Sequence, residues 1–222
     1  MRLGADAEEN SNPQQIPQQT DQSPTKPIVL LTDSCGRAKR LPEDLNTDVV
    51  HVIARPSVTV SRFYDATEEE LKRHINNTTT CVVPYLGTTA WRNVNRAPNA
   101  KNAQIMKQMV IPLLKLEQKL RAQCQFAGHF LIPPLIRPVN IYNDHGPNLP
   151  LDPLRAQAYL RTYAQSIKAK LAQHVSPHHR YLEQVQIADL AADDGIHLAP
   201  EAWRHILAAV STIAGVNALK PP

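Results

Sequence analysis

The sequence predicts an α/β domain, with a parallel five-stranded sheet between layers of helices. Short, continuously apolar runs recur along the chain, and segments with helical spacing separate them. Apolar runs suit strands covered on both faces, and alternation of strand with helix implies right-handed crossovers between parallel strands. A third observation is that only seven glycines stand against nineteen prolines, so the connections are stiffened rather than loose.

Residues 1–26 are rich in Gln, Asn, Ser, Asp and Pro, with hardly an aliphatic residue after Leu3. Such a segment buries too little apolar surface to offset its ordering entropy and is expected to be a disordered tail or linker, with residues 27–222 as the folded domain. The first strand is expected at Ile28-Val29-Leu30-Leu31, followed by Val49 to Ala54, Thr80 to Leu86 and Phe126 to Ile132. The more polar run Leu182 to Ile187 is expected as an edge strand. Helices are expected from Thr67, where Glu68, Glu69 and Glu70 give an acidic first turn, and over Asn102–Gln123, Asp152–His174 and Pro200–Ala214. Pro112 should kink or break the second of these. Pro133-Pro134 through Pro153 is long for a connection in a compact domain, which makes it a candidate lid or substrate-contacting segment.

At 222 residues, 42% hydrophobic and 20% charged, the chain has the composition of an ordinary globular protein. No run approaches the roughly 18 apolar residues of a membrane span. The first residues have neither a basic start nor an apolar segment, so no export signal is read and an intracellular, cytoplasmic location is expected. Three cysteines (Cys35, Cys81 and Cys124) without a C-x-x-C pair argue for reduced thiols rather than a disulfide framework or zinc ribbon. The net charge of +4 permits an anionic partner such as nucleic acid without requiring one.

The chemistry lies at the two ends of the domain. Thr32-Asp33-Ser34-Cys35-Gly36-Arg37 follows the first strand, and ligands of open parallel sheets sit at the carboxyl ends of strands. A serine on such a turn is presented at that edge, beside backbone N–H groups able to hold an oxyanion. Near the other end stands Asp193-Asp194-Gly195-Ile196-His197-Leu198-Ala199-Pro200-Glu201. Here an Asp and a His three residues apart on a turn can hydrogen-bond to each other, and Pro200 and Glu201 open the last helix. Asp194 would orient His197, whose other ring nitrogen would take the Ser34 proton.

Each of these residues also has a plainer role to set against this one. Taken alone, Ser34 is more often a helix cap than a nucleophile, and the paired Asp194/His197 block is what moves the balance. Asp33 is expected to tie down the nucleophile turn rather than to react, and Asp193 to be solvated. Cys35 reads as a small buried residue, and Cys81 and Cys124 as core. His178-His179 lacks a third metal ligand and reads as a charged loop. Arg37, Lys39 and Arg40 read as a solvated helix face or an anion contact near the site. Trp91, beside Arg92, Arg96 and Lys101, and Trp203 on the last helix read as packing aromatics, although Trp91 could stack on a nucleobase.

These residues resemble the SGNH (GDSL-like) hydrolase family. Its first block, a strand followed by Gly-Asp-Ser, is similar to Thr32-Asp33-Ser34, and its last, Asp-x-x-His-Leu, is matched in full by Asp194 to Leu198. Arg55 to Val60 resembles the second block, with Ser57 where glycine is usual. Leu86-Gly87-Thr88-Thr89-Ala90 resembles the third, Gly-x-Asn-Asp, with Thr89 and Ala90 in place of both signature residues. The resemblance implies a flavodoxin-like three-layer αβα sandwich and hydrolysis of an ester or related acyl derivative, a small-molecule or lipid-like substrate, through a Ser-His-Asp triad. It implies an oxyanion hole from the backbone N–H groups of Ser34 and Ser57 with Thr89, and no metal or organic cofactor. Members of the family also form the esterase domain of certain LINE-type retrotransposons, a setting that the Gln/Ser/Pro-rich approach resembles. The alternative is a binding module on the same fold, recognising RNA or a protein partner as the degenerate Oskar-type relatives do. The altered third block and the basic stretch 92–101 favour that alternative, and the complete Ser, Asp and His set opposes it. A flavodoxin-like regulatory or nucleotide-binding domain, with Ser34 and His197 far apart, is a further rival.

Overall fold

The computed structural model describes residues 26–33, 40–87, 105–135, 143, 152–173, 178–183 and 197–221. Five strands form one parallel sheet: β1 (Ile28–Thr32), β2 (Val50–Ala54), β3 (Cys81–Tyr85), β4 (His129–Ile132) and β5 (His179–Tyr181). Their spatial order is β2-β1-β3-β4-β5. β1 lies between β2 and β3, with Leu30 opposite both Val52 and Val83, and every residue of β1 and β3 is buried. This is why both read as unbroken apolar runs: a central strand covered on both faces has no solvent side to alternate with. Pro84, unusual inside a sheet, is opposite Leu31 of β1, while the β3–β4 register covers Cys81 and Val82 and stops short of it.

The helices are α1 (Val60–His74), α2 (Ile111–Gln123), α3 (Pro153–Gln173) and α4 (Pro200–Ala214). The connections β2–α1–β3, β3–α2–β4 and β4–α3–β5 all advance in one direction across the sheet, so right-handed crossovers put these three helices on the same face. Their contacts agree: α1 packs on α2, and the turn before α2 packs on α3. The β1–β2 connection runs the other way and belongs to the opposite face. Residues 44–46 of that connection bond to the end of the chain, Asn46 N–H to Ala218 O at 2.9 Å and Lys220 N–H to Asp44 O at 2.7 Å. α4 therefore covers that face, with Trp203 edge-on to Tyr85 of β3, ring centroids 5.2 Å apart. The result is the expected three-layer αβα sandwich.

Several local expectations need correction. The helix expected from Thr67 begins at Val60. Thr67 is buried in its interior, its hydroxyl donating to Phe63 O at 2.6 Å, and Glu68 to Glu70 lie well inside. The edge strand is His179–Tyr181, earlier than the expected Leu182–Ile187. It is held by Phe130 N–H to His178 O at 2.6 Å and Leu182 N–H to Ile132 O at 2.9 Å. The fourth strand starts at His129, because Gln125 takes a positive φ of 53° and Phe126 N–H still bonds back to Leu120 O at the end of α2. The break expected at Pro112 takes the form of a π-helical turn, Met106–Val110, with Ile111 N–H bonded back to Met106 O and Pro112 in the first turn of α2. Cys81 and Cys124 are free and buried, as expected, and burial pushes the Cys81 thiol up to about 12.

Candidate active site at the switch point of the sheet

The order β2-β1-β3 reverses direction at β1, so the crevice for ligands lies beyond the carboxyl ends of β1 and β3. Asp33 is the residue that leaves β1. It is fully buried, and its Oδ2 accepts the N–H of Gly87, two residues beyond β3, at 3.1 Å. Gly87 has φ +109°, and a Cβ there would lie 2.0 Å from Met109 Cε. The positive φ favours glycine here, and any side chain would also have to displace the end of Met109. On the other side of β1, Arg55 N–H donates to Thr32 O at 2.9 Å, tying the end of β2 to the end of β1. The Arg55 guanidinium is bonded to Glu70 of α1 and to Ala54 O.

α4 begins at the same edge, as a helix antiparallel to the strands must. Ala199 is its extended N-cap, Pro200 occupies the first turn, and Leu198 is 1% exposed. Anchored by that leucine, the half-buried His197 stands at the mouth of the helix.

No protein-family model matches the chain. No curated protein matches it in sequence. Solved structures do resemble it. A phospholipase A1 from Streptomyces albidoflavus NA297 superimposes with a TM-score of 0.55 at 12% identity, over 85% of this chain and 99% of that one. A GDSL-like lipase from Bacteroides thetaiotaomicron VPI-5482 gives 0.56 at 12% identity, over 85% and 87%. An extracellular lipase from Streptomyces rimosus gives 0.53 at 10%, over 85% and 100%. The chain has the SGNH (GDSL-like) hydrolase fold. At these identities the likeness is one of fold.

Ser57, the residue expected in the second block, lies three residues beyond β2. Its φ is +66°, in the left-handed region that favours glycine, which is the residue usual at this point of the SGNH pattern. Of the other expected site residues, His197 is described, whereas Ser34, Thr89 and Asp194 lie outside the described residues. So do Cys35, Arg37, Lys39, Ala90, Trp91, Arg92, Arg96, Lys101 and Asp193, and most of the expected lid between Pro133 and Pro153. Trp203 is fully buried, as expected of packing.

The expectation of a charged loop at His178-His179 is wrong for His179. Its Nδ1 lies 3.1 Å from Oε2 of Glu117, a buried carboxylate that also accepts from Arg121 Nε at 2.9 Å and Nη2 at 2.7 Å. A second cluster unforeseen from sequence stacks His51 of β2 on His74 of α1, centroids 3.7 Å apart. Only the pairing of Arg121 with Glu117 had a local signal, its four-residue spacing on a helix. Among the described residues no three His, Cys, Asp or Glu side chains converge to hold a metal, and no helix is long and apolar enough to cross a membrane. The groove of about 980 Å³ beside β2 is lined by Leu41, Leu45, Val50 and Arg204, and it approaches the candidate site only at Ala54 and Pro200.

Proposed function

We propose that the protein is a serine hydrolase that cleaves an ester or related acyl derivative, with Ser34 as nucleophile, His197 as base and Asp194 as its orienting partner. The observation that supports this best is the Asp33–Gly87 hydrogen bond, which ties the end of β1, one residue before Ser34 in sequence, to the end of β3, two residues before Thr89, at the switch point of an SGNH fold. In the first half-reaction, Ser34 Oγ attacks the carbonyl carbon while its proton passes to His197. The negative charge on the carbonyl oxygen is held by the backbone N–H groups of Ser34 and Ser57 and by the Thr89 hydroxyl. The leaving alcohol takes the proton from His197, and water then hydrolyses the acyl-enzyme with His197 again as base. Each oxyanion donor contributes on the order of a hundred- to a thousandfold, and a threonine hydroxyl is a shorter, weaker donor than the usual asparagine amide.

The test is labelling with a fluorophosphonate probe, which reports an activated serine without knowledge of the substrate. Wild type should label and Ser34→Ala should not. A folded wild-type protein that does not label refutes the hydrolase and leaves the binding-module reading, which the replaced third block favours.

A further inference from the structure

The two exposed large apolar side chains among the described residues are Ile111, 41% exposed, and Leu154, 78% exposed. Leu154 lies in the first turn of α3, and Ile111 directly follows the π-helical turn that leads into α2. Both helices belong to one layer and run antiparallel to the strands, so both begin at the carboxyl edge of the sheet, the edge of the candidate site. Ile111 lies on an exposed stripe with Lys107 and Lys115 at four-residue steps, and Leu154 lies beside Arg155 and two turns before Arg161, all exposed.

Charge is strongly uneven here. The π-helical turn with α2 and α3 holds eight Lys and Arg and one carboxylate, the buried Glu117. These segments therefore carry +7 in a chain whose net charge is +4. Ion pairs on them engage Lys119, Arg121, Arg155 and Lys168. Lys107, Lys115 and Arg161 form none among the described residues. Cations beside aliphatic side chains are the composition of a surface that lies on an anionic bilayer, where the ammonium and guanidinium groups meet headgroups and the aliphatic groups enter the acyl boundary. Aliphatic side chains offer nucleobases no ring to stack on, so the surface suits a lipid better than a single-stranded nucleic acid.

We propose that this edge of the α2–α3 layer docks the protein on an anionic lipid surface. Docking does not require turnover; its use in presenting a lipid-embedded ester to the crevice rests on the hydrolase reading above.

Flotation of the full chain as Ser34→Ala, which leaves the lipid intact, tests it. The protein should float with phosphatidylcholine vesicles containing phosphatidylserine, not with phosphatidylcholine alone, and should dissociate as salt is raised. Each of Lys115→Ala and Arg161→Ala should weaken partitioning about fivefold, the effect of one cation at such a surface. Ile111→Ser with Leu154→Ser should weaken it about tenfold. An unchanged melting temperature would show that these exposed changes leave the fold intact. Docking is refuted if the protein fails to float on anionic vesicles at low salt, floats equally with all the variants, or retards single-stranded RNA while ignoring vesicles. Flotation by a wild-type protein that the fluorophosphonate probe fails to label would reject the hydrolase and leave the docking surface standing.

Discussion

The carboxylate of Asp33 crosses the switch point of the sheet to take the N–H of Gly87 at 3.1 Å, joining two turns that lie 54 residues apart in sequence. A buried acceptor that holds a backbone donor fixes a position as well as contributing stability. Asp33→Ala leaves the Gly87 N–H unpaired and should cost about 1–3 kcal/mol of stability. It should also slow probe labelling of Ser34 about ten- to a hundredfold, as expected when an oxyanion donor shifts by an ångström or less. Asp33→Asn keeps an acceptor oxygen in place and should recover most of the labelling rate. Equal labelling by Asp33→Ala and wild type, measured with both folded, would show that this link has no part in the chemistry.

Ser57 and Gly87 both occupy the positive-φ region, and substitutions at them should have opposite signs. Ser57 sits at φ +66° with a side chain and is exposed, so Ser57→Gly relieves strain and should stabilise the protein by about 0.5–1 kcal/mol. Gly87→Ala meets both an unfavourable φ and the Met109 methyl, and should cost about 3 kcal/mol. Urea denaturation of the two variants checks both. A destabilised Ser57→Gly would mean that the serine side chain holds that turn.

Thr89 is where the third block departs from its usual asparagine. If the Thr89 hydroxyl is the weak member of the oxyanion hole, Thr89→Asn should raise the labelling rate and ester turnover, by about tenfold or more. A fall in rate would show that the crevice has been rebuilt around threonine.

How far the sequence revealed this structure depended on the range of the interactions. β1 and β3 were legible because burial on both faces writes itself into consecutive residues, and α4 because Pro200 and the apolar spacing mark it. The start of α1 was not legible: Thr59 makes no side-chain cap, while Glu68 to Glu70 imitate the acidic opening of a helix. β5 was misplaced because three residues with half-buried ends carry no periodicity, and their position is set by bonds to β4. At the candidate site, the roles of Asp33 and Gly87 depend on a contact between distant turns. Ser34 and His197 were proposed as nucleophile and base from motif alone, and the left-handed backbone of Ser57 carried no local sequence signal.

The Glu117 cluster offers a stability test remote from the site. Glu117 is 5% exposed, its charge is matched by Arg121, and His179 Nδ1 lies 3.1 Å from the same carboxylate. Arg121 also donates to Phe126 O and Gly128 O, fastening the end of α2 to the approach to β4. Arg121→Met strands a buried carboxylate and should cost about 3–5 kcal/mol. Adding Glu117→Gln removes that charge and should restore part of the loss, a coupling that a double-mutant cycle reads directly. Additive losses would mean that the two side chains act independently.

The stacked imidazoles of His51 and His74 give the fold a dependence on pH. Burial first, then the charge of His74 and then that of Lys26 hold His51 down at about 4, and burial also lowers His74 despite the opposing pull of Glu70. His51 Nε2 has no hydrogen-bond partner among the described residues, and the nearest Glu70 oxygen is 3.9 Å away, on a carboxylate already bonded to Arg55. Burial therefore favours the neutral form of both rings in the fold, whereas the unfolded chain, with histidine near 6.5, binds protons more readily. The stability this confers is complete above about pH 6.5 and is lost as the pH falls toward 4. Because both rings are partly exposed, the loss is discounted to about 1–2 kcal/mol. Carboxylates titrate at the lower end of this window, so the deciding measurement is the difference between wild type and His51→Gln in thermal unfolding at a series of pH values. The variant should be less sensitive to acid between about pH 6.5 and 4.5. Parallel curves for the two proteins would remove the stacked pair as the cause.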